Sequence, residues 1–158
     1  MLVFLLRVSI AFTSPSMKYD PSNVFARILR GELPCYKVYE DAHVLAFLDA
    51  FPCTPGHTLV IPKLTGYSDL AELPDEAAAH LGTVLPRLAR AVKTAMNVDA
   101  VNVLQNVGPS SGQVVLHPHF HIIPRVQGDG LLKSPASSKT MLSKEQAELV
   151  LQAFQQTI

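Results

Sequence analysis

The sequence has no excess of charge of either sign. Lysine and arginine together number 13 among its 158 residues, and aspartate and glutamate also number 13. An even balance produces no overall field that would gather nucleic acid or an anionic membrane surface. We therefore expect neither as a partner, and an anionic ligand would have to be held by a local site.

Cysteine is scarce as well. The only two cysteines, Cys35 and Cys53, have no CxxC spacing and belong to no Cys/His cluster of the zinc-finger kind. The sequence therefore gives no grounds for a disulfide framework or a structural zinc ion. We expect both thiols to be reduced, which favours a cytoplasmic location.

No apolar run approaches the roughly 20 residues that a membrane helix needs. The first dozen residues, MLVFLLRVSIAF, are apolar, but Arg7 divides them and no clear small-residue cleavage pattern follows. We interpret residues 1–16 as an extension upstream of a second start at Met17, with organelle targeting as the alternative. Residues 17–158 should form one domain, because a chain of 158 residues builds one good core rather than two.

Hydrophobic periodicity predicts three helices and about five strands. The helices are predicted within 21–34, over 74–97, and after Ser143, whose Gln146 three residues on completes a capping-box pattern. Pro86 should kink or interrupt the second helix. The strands are predicted at Tyr36 to Glu40, His43 to Asp49, His57 to Lys63, Ala100 to Asn106, and Val114 to Arg125. Their order indicates an α+β fold with a mostly antiparallel sheet.

The predicted last strand, VVLHPHFHIIPR, contains three of the six histidines of the chain. Side chains on a strand alternate between faces, so His117, His119 and His121 should share one face, opposite a core face. Pro118 has no N–H to donate to a neighbouring strand. We therefore expect it at an edge or an irregular position, and we expect the strand to have an open side.

Three interpretations of the imidazole face compete. Buried histidines paired inside a core would need three sets of hydrogen-bond partners. A metal site could use two of the rings, yet no nearby carboxylate or cysteine in the sequence completes a ligand set. Acid–base and nucleophilic chemistry at phosphorus would use a neutral imidazole as nucleophile and a protonated neighbour to stabilise developing charge. The residues favour the third interpretation.

The segment HPHFHII resembles the histidine triad signature, H-φ-H-φ-H-φ-φ with φ apolar, of the HIT superfamily of nucleotide hydrolases and transferases. Three further segments agree with the family in order and spacing: FARILRGELP, LAFLDAFPCTPGHTLVIPK and the N-x-G-x-x-x-G-Q run that begins at Asn106. The likeness covers most of residues 20–125 and is greatest to the Hint branch, the purine nucleoside phosphoramidases. It implies a HIT-like α+β fold with helices packed on the sheet, and a homodimer.

The resemblance implies a role for each histidine. His119 would attack the α-phosphorus of an adenosine phosphoramidate and form a nucleotidyl-histidine, which water hydrolyses to AMP. One ring nitrogen of His119 would donate a hydrogen bond to the backbone carbonyl of the first triad histidine. His117 and His121 would orient that ring and the phosphate. His57 would be a fourth member of the relay near the leaving group, with a polar residue at a strand start as the structural alternative.

The resemblance also implies nucleotide-binding residues. Asp49 would accept hydrogen bonds from the ribose hydroxyls, whereas on its own it would be a turn-favouring aspartate. Asn106 and the backbone of Gly112 to Val114 would hold phosphate oxygens. Three apolar side chains would flank the base, although each is as readily a plain core residue. The full set is Asp49, Ala50, Asn106, Gly112, Gln113, Val114, Phe25, Ile28 and Phe47.

The sequence departs from the family pattern at three places. Val114 stands where Hint-type proteins often have serine, so only its backbone N–H can serve the phosphate. Asn23 and Ala26 stand where some members carry a zinc-binding CxxC, so the resemblance implies no zinc and no other cofactor. The run IIPR after the triad is similar to the Fhit branch. Three alternatives to a phosphoramidase therefore stay open: a diadenosine polyphosphate hydrolase, an AMP-binding interaction protein with incidental turnover, and a metal-binding protein.

Overall fold

The computed structural model describes residues 18–131, 141–155 and 157. The extension 1–16 and the proposed start at Met17 lie outside the described residues. The helices and strands follow the order α1 (Val24–Leu29), β1 (Lys37–Glu40), β2 (Val44–Leu48), β3 (Thr58–Pro62), α2 (Asp75–Met96), β4 (Ala100–Leu104), β5 (Phe120–Arg125) and α3 (Lys144–Gln155). Each helix and strand predicted from the sequence is therefore present.

The five strands form one antiparallel sheet in the order β1-β2-β3-β5-β4. Strands β1, β2 and β3 are neighbours because short connections join them, which only antiparallel pairing allows. Strand β5 inserts between β3 and β4, so β4 lies at an edge. The α+β fold with a five-stranded antiparallel sheet is confirmed.

Strand β5 begins later than predicted. Residues 114–119 are irregular, and Pro118 lies among them, as expected for a residue that cannot donate to a strand. The predicted open side is wrong, because β3 pairs with β5 over Phe120 to Ile122 and β4 pairs with it over His121 to Arg125. The last triad histidine therefore sits on a central strand, and the first two sit on the segment that leads into it.

Helix α2 packs on one face of the sheet. The buried cluster between them combines alternate strand residues, one stripe of the helix and one residue just before the helix: Val44, Ala46, Val60, Ile122, Leu81, Val84, Leu88, Val92 and Leu73. This burial removes apolar surface from water and fixes which side of each strand is turned away from α2. Since Ile122 of β5 faces α2, His121 next to it lies on the face of the sheet that is turned away from α2.

Pro86 does not interrupt α2, which is continuous over 22 residues. Of the kink or interruption predicted at Pro86, the interruption is wrong for a reason of packing. Leu81 and Val84 before the proline, and Leu88 and Val92 after it, are all buried in the same cluster. Most helical stability in proteins comes from packing an apolar face, and that packing holds both halves of the helix on the sheet despite the missing N–H.

The other face of the sheet carries a second buried cluster, made of Phe25, Leu45, Phe47, Leu59 and Ile61. Phe25 comes from α1, whose first turn is capped by Asn23: the side-chain oxygen of Asn23 accepts the N–H of Ala26 at 2.9 Å. The two positions where some family members carry a zinc-binding CxxC thus form a helix cap here. Helix α1 is held beside the histidine face.

Helix α3 follows the predicted capping box. Ser143 N–H donates to the side-chain oxygen of Gln146 at 3.1 Å, and Gln146 N–H donates to the Ser143 hydroxyl at 3.2 Å. None of the residues of this helix is buried. Within the described residues, no helix combines the length and the apolar character needed to cross a lipid bilayer.

Candidate active site

His57 and His121 meet across the pairing of β3 with β5. Leu59 is the direct partner of His121, and His57 lies two residues before Leu59 on the same face. His57 Nε2 is 2.9 Å from His121 Nδ1, so a single proton is shared between the rings. Burial lowers the pKa of both rings, that of His121 to about 4. Both rings are therefore neutral at physiological pH.

His119 has one ring nitrogen in a hydrogen bond. Its Nδ1 lies 2.7 Å from the backbone oxygen of His117, and since a carbonyl only accepts, Nδ1 carries the proton. Burial lowers the pKa of the His119 ring, although the bond to the His117 carbonyl opposes that shift. Nε2 is consequently an unprotonated lone pair, which is the form that a nucleophilic imidazole requires.

His117 is fully buried and is held at both ring nitrogens. Nε2 donates to the backbone oxygen of Pro62 at 3.1 Å, and Nδ1 accepts from the hydroxyl of Tyr19 at 3.4 Å. Burial lowers the pKa of His117 to about 4. The ring does not line the cavity that His119 faces. His117 therefore orients His119 through its carbonyl, and the expected contact of its own ring with phosphate is not supported.

Asp49 joins the site from the turn after β2. Its Oδ1 accepts the N–H of Phe51 at 2.9 Å, which is the turn-forming bond expected of an aspartate in this position. Its Oδ2 is 3.4 Å from Nδ1 of His57. One carboxylate oxygen of Asp49 thus stabilises the turn, and the other lies next to His57.

The site opens into a cavity of about 540 Å³, a volume in the range of small-ligand pockets. Most residues predicted from the sequence meet there. Those that line it are Phe25, Ile28, Phe47, Asp49, Ala50, Asn106, Gly112, Val114, His119 and His121, whereas His57, Gln113 and His117 do not. His57 lies behind His121. His117 is held between Pro62 and Tyr19, and the Gln113 side chain is bonded to the backbone of the neighbouring loop.

The apolar end of the cavity is built from aromatic rings. The centroids of Phe25 and Phe47 lie 5.8 Å apart in an edge-to-face arrangement, and Phe25 lies 5.0 Å from the His119 ring. Both phenylalanines are buried in the second cluster, so they are core residues and cavity walls at once. At the rim, Phe51 is 92% exposed and Tyr36 is 79% exposed, and neither was predicted from the sequence.

The loop 108–114 offers fewer backbone donors than expected. The N–H of Gly112 bonds to the Pro109 carbonyl at 2.9 Å, and the N–H of Gln113 bonds to the Gly108 carbonyl at 3.3 Å. These two bonds close a tight turn in which Gly112 has φ +91°. Of the three backbone donors predicted to hold phosphate, the N–H of Val114 is therefore the one that the turn does not use.

Hydrogen bonds from the buried side chain of Gln113 hold this loop in place. Its Nε2 donates to the carbonyls of Ser68 at 2.6 Å and Val115 at 3.1 Å, and its Oε1 accepts the N–H of Gly108 at 2.8 Å. All three hydrogen bonds of the buried amide are made with backbone groups. Gln113 thus positions the loop, and its side chain does not line the cavity.

Sequence reasoning missed two residues that touch the histidines. Tyr19 contacts His117 from 98 positions away along the chain, and no local pattern could have indicated this. Cys53 lies beside His57, with its Sγ 3.6 Å from Nδ1. The run Pro-Cys-Thr-Pro-Gly before β3 indicated only a connection, because its turn residues say nothing about which side chain faces inward.

The fold and the site together define a protein of the histidine triad class: an open antiparallel sheet in which the last of three alternating histidines meets a fourth histidine at the start of the neighbouring strand. Comparison with known proteins agrees. Residues 30–128 match the HIT domain family. The chain belongs to that family.

Relatives and solved structures support the assignment. The chain is 38% identical over 126 residues to adenosine 5'-monophosphoramidase HNT1 of Saccharomyces cerevisiae, covering 79% of this chain and 77% of that one. It is 42% identical over 129 residues to adenylylsulfatase HINT3 of Arabidopsis thaliana, covering 80% of this chain and 65% of that one. A crystal structure of a HIT family protein from Bacillus anthracis matches with a TM-score of 0.80 and 37% identity, covering 89% and 99% of the two chains. The HIT-like fold is thereby confirmed.

Proposed function

We propose that this protein is a nucleotide hydrolase that cleaves the P–N bond of adenosine 5'-monophosphoramidate-type substrates through a nucleotidyl-histidine. The observation that carries the proposal is the hydrogen bond of 2.7 Å from Nδ1 of His119 to the His117 carbonyl, which leaves Nε2 as a lone pair at the cavity. The names of HNT1 and HINT3 support it, because both describe enzymes that act on adenylyl compounds.

In the proposed reaction, Nε2 of His119 forms a bond to the α-phosphorus while the P–N bond breaks and its electron pair leaves with the nitrogen. His121 lines the cavity beside His119, their ring centroids 5.1 Å apart, and can pass a proton from the pair it forms with His57 to the departing amine. Water then attacks the same phosphorus, the bond from phosphorus to His119 breaks, and AMP leaves. A proton from the attacking water returns to the histidine pair. This route uses no metal ion.

The charge of the cavity favours a phosphoramidate over a diadenosine polyphosphate. Among the described lining residues there is one carboxylate, Asp49, and no lysine or arginine. A polyphosphate chain carries several negative charges, which proteins normally meet with arginine, lysine or metal ions. The single ionised phosphoryl group of a phosphoramidate needs only neutral donors, such as the Val114 N–H. In this proposal, Phe25, Ile28 and Phe47 flank the purine, and the Asp49 carboxylate accepts the ribose hydroxyls.

The proposed assembly is a homodimer. Strand β4 lies at the sheet edge, where unpaired backbone groups can pair with another chain. On the same strand, Val103 is 44% exposed. A second copy packed on this edge would cover it. Two further predictions remain untested: the cytoplasmic location, and the division of the chain into an extension of residues 1–16 and a domain that begins at Met17.

A trapping experiment tests the reaction. The purified protein is mixed with adenosine 5'-phosphoramidate, quenched with base, digested and examined by mass spectrometry. We expect an adenylyl group on the peptide that contains His119. Turnover is then compared between the phosphoramidate, diadenosine tetraphosphate and adenylyl sulfate, and the phosphoramidate should have the highest kcat/KM.

The matched variants are His119→Ala and His43→Ala, since His43 is exposed and does not line the cavity. We expect His119→Ala to lower kcat by about 10³-fold or more while the Kd for AMP changes little, and His43→Ala to behave as wild type. Full activity in His119→Ala would disprove the assigned nucleophile. Tight AMP binding without turnover of any of the three compounds would instead favour the AMP-binding interaction protein.

A further inference from the structure

His57 has two competing partners at one of its ring nitrogens. The backbone N–H of Cys53 lies 3.4 Å from Nδ1 in hydrogen-bonding geometry, and Oδ2 of Asp49 lies 3.4 Å from the same nitrogen. A backbone N–H only donates, whereas a carboxylate oxygen only accepts. Nδ1 of His57 therefore bonds to Cys53 when it is a lone pair, and to Asp49 when it carries a proton.

The state of this nitrogen fixes the tautomer of His121 as well, because His57 Nε2 shares one proton with His121 Nδ1 across 2.9 Å. With a proton on His57 Nδ1, Nε2 of His57 accepts from His121, and Nε2 of His121 is left as a lone pair. With His57 Nδ1 unprotonated, Nε2 of His57 donates, and Nε2 of His121 carries an N–H. The His121 ring lines the cavity, so it presents either an acceptor or a donor to a ligand.

We propose that Asp49 sets the direction of this hydrogen-bonded relay of Asp49, His57 and His121, and that binding of a ribose reverses it. In the nucleotide-free protein the carboxylate keeps the proton on His57 Nδ1, since a charge-assisted hydrogen bond is roughly twice as strong as a neutral one. Ribose hydroxyls that donate to Asp49 weaken this bond, and the Cys53 N–H then bonds to Nδ1. Each ring holds one proton in both states. The shared proton moves from His121 to His57, while water removes the proton of His57 Nδ1 and returns one to His121 Nε2.

The reversal makes Asp49 a positioning residue for His121 in addition to a ribose acceptor. This rests on the proposed function, in which ribose binds to Asp49 and His121 supplies a proton to the departing amine. Only the state with an N–H on His121 Nε2 has that proton in place. A nucleotide without ribose hydroxyls would enter the cavity and still meet a lone pair on His121. The relay thus selects ribonucleotides through kcat as well as through KM.

Asp49→Asn isolates the contribution of the carboxylate. Oδ1 of Asp49 accepts the Phe51 N–H at 2.9 Å, so the amide oxygen of asparagine takes that position and its NH2 group takes the position of Oδ2. An NH2 group only donates, so His57 Nδ1 is a lone pair in this variant with or without nucleotide. The internal control is His80, whose Nε2 lies 2.9 Å from Oδ2 of Asp41. Neither lines the cavity, so the tautomer of His80 should not respond to nucleotide.

Long-range ¹H–¹⁵N correlation spectra at neutral pH test the proposal, because they distinguish protonated from unprotonated ring nitrogens. The protein is compared alone, with saturating AMP and with saturating 2′,3′-dideoxyadenosine 5′-monophosphate. With AMP, we expect the proton of His57 to move from Nδ1 to Nε2. With the dideoxy compound it should stay on Nδ1, and in Asp49→Asn it should be on Nε2 in all three samples. In turnover, the dideoxy phosphoramidate should have a kcat about tenfold lower or less, and Asp49→Asn should restore it.

Several outcomes would overturn the inference. These are the same His57 tautomer with and without AMP, an equal change with the dideoxy compound, a proton on His57 Nδ1 in Asp49→Asn, and a matching change at His80. The spectra involve no turnover, so they are separable from the proposed reaction. Reversal by AMP with no hydrolysis of any adenylyl compound would leave the relay standing and remove the phosphoramidase. Hydrolysis with an unchanged tautomer would do the opposite.

Discussion

At the scale of single residues, the tautomer of His119, the proposed nucleophile, depends on a chain of contacts that begins outside the cavity. The Tyr19 hydroxyl donates to Nδ1 of His117, the His117 ring donates to the Pro62 carbonyl, and the His117 carbonyl accepts Nδ1–H of His119. Each contact fixes one tautomer. Tyr19 is therefore a positioning residue in this arrangement, since it touches His117 and does not line the cavity.

Replacement of Tyr19 by phenylalanine tests this role. The change leaves a buried acceptor on His117 without its donor, which should cost about 1 kcal/mol of unfolding free energy. Because the His117 backbone then holds His119 less firmly, kcat should fall several-fold while KM changes little. Tyr67→Phe is the control, since Tyr67 lies away from the triad on the α2 side of the sheet. Equal losses in the two variants would contradict a specific role for Tyr19.

At the scale of elements, the site depends on how β3 begins. Gly56 precedes His57 and has φ +82°, a conformation that favours glycine. A Cβ atom at this position would lie 2.5 Å from both Cγ and Sδ of Met96 at the end of α2. The turn that precedes His57 therefore packs closely against the C-terminal end of α2.

Gly56→Ala should accordingly destabilise the protein by about 1–3 kcal/mol and lower kcat by displacing His57. The control is Gly31→Ala, where φ is +74° but nothing lies within 4 Å of the added Cβ. Urea unfolding of both variants separates the cost of the positive φ from the cost of the contact with Met96. If the two variants lost the same free energy of unfolding, the contact with Met96 would not contribute to the destabilisation.

Among the elements, the sequence predicted types and approximate positions well, since amphipathic stripes and alternation are local signals. It failed where tertiary packing outweighed a local rule. Pro86 was expected to kink or interrupt α2, but buried leucines and valines on both sides keep the helix continuous. The strand predicted from Val114 begins only at Phe120, and Pro118 lies in the irregular segment before it, as expected of a residue that has no N–H to donate.

At the scale of the whole molecule, burial of the triad couples stability to pH. His117 has an ordinary pKa of 6.5, which burial lowers to about 4 in the folded protein. Between these values the unfolded chain binds a proton that the folded protein does not, so stability falls as the pH falls through this window. Burial lowers the pKa of His57, His119 and His121 as well, and their contributions have the same sign.

The free energy of unfolding in urea should therefore decrease from pH 7.5 to pH 4.5, with His117 alone contributing up to about 3 kcal/mol over the full window. His117→Gln, which cannot titrate, should be less stable at pH 7.5 but should show a flatter dependence on pH. His43→Ala is the control for the loss of a histidine, because the His43 ring is exposed. The same slope in His117→Gln and wild type would contradict this account.

The sequence by itself determined the histidine pattern, the apolar stripes and the turn residues, because each is a relation between residues close together in the chain. These identified the elements, the triad and the family. Only the tertiary structure decided that β5 lies between β3 and β4, that Asp49 and His57 meet His121, and that Tyr19 holds His117. Contacts between residues 64 and 98 positions apart depend on the path of the chain, which local periodicity does not specify.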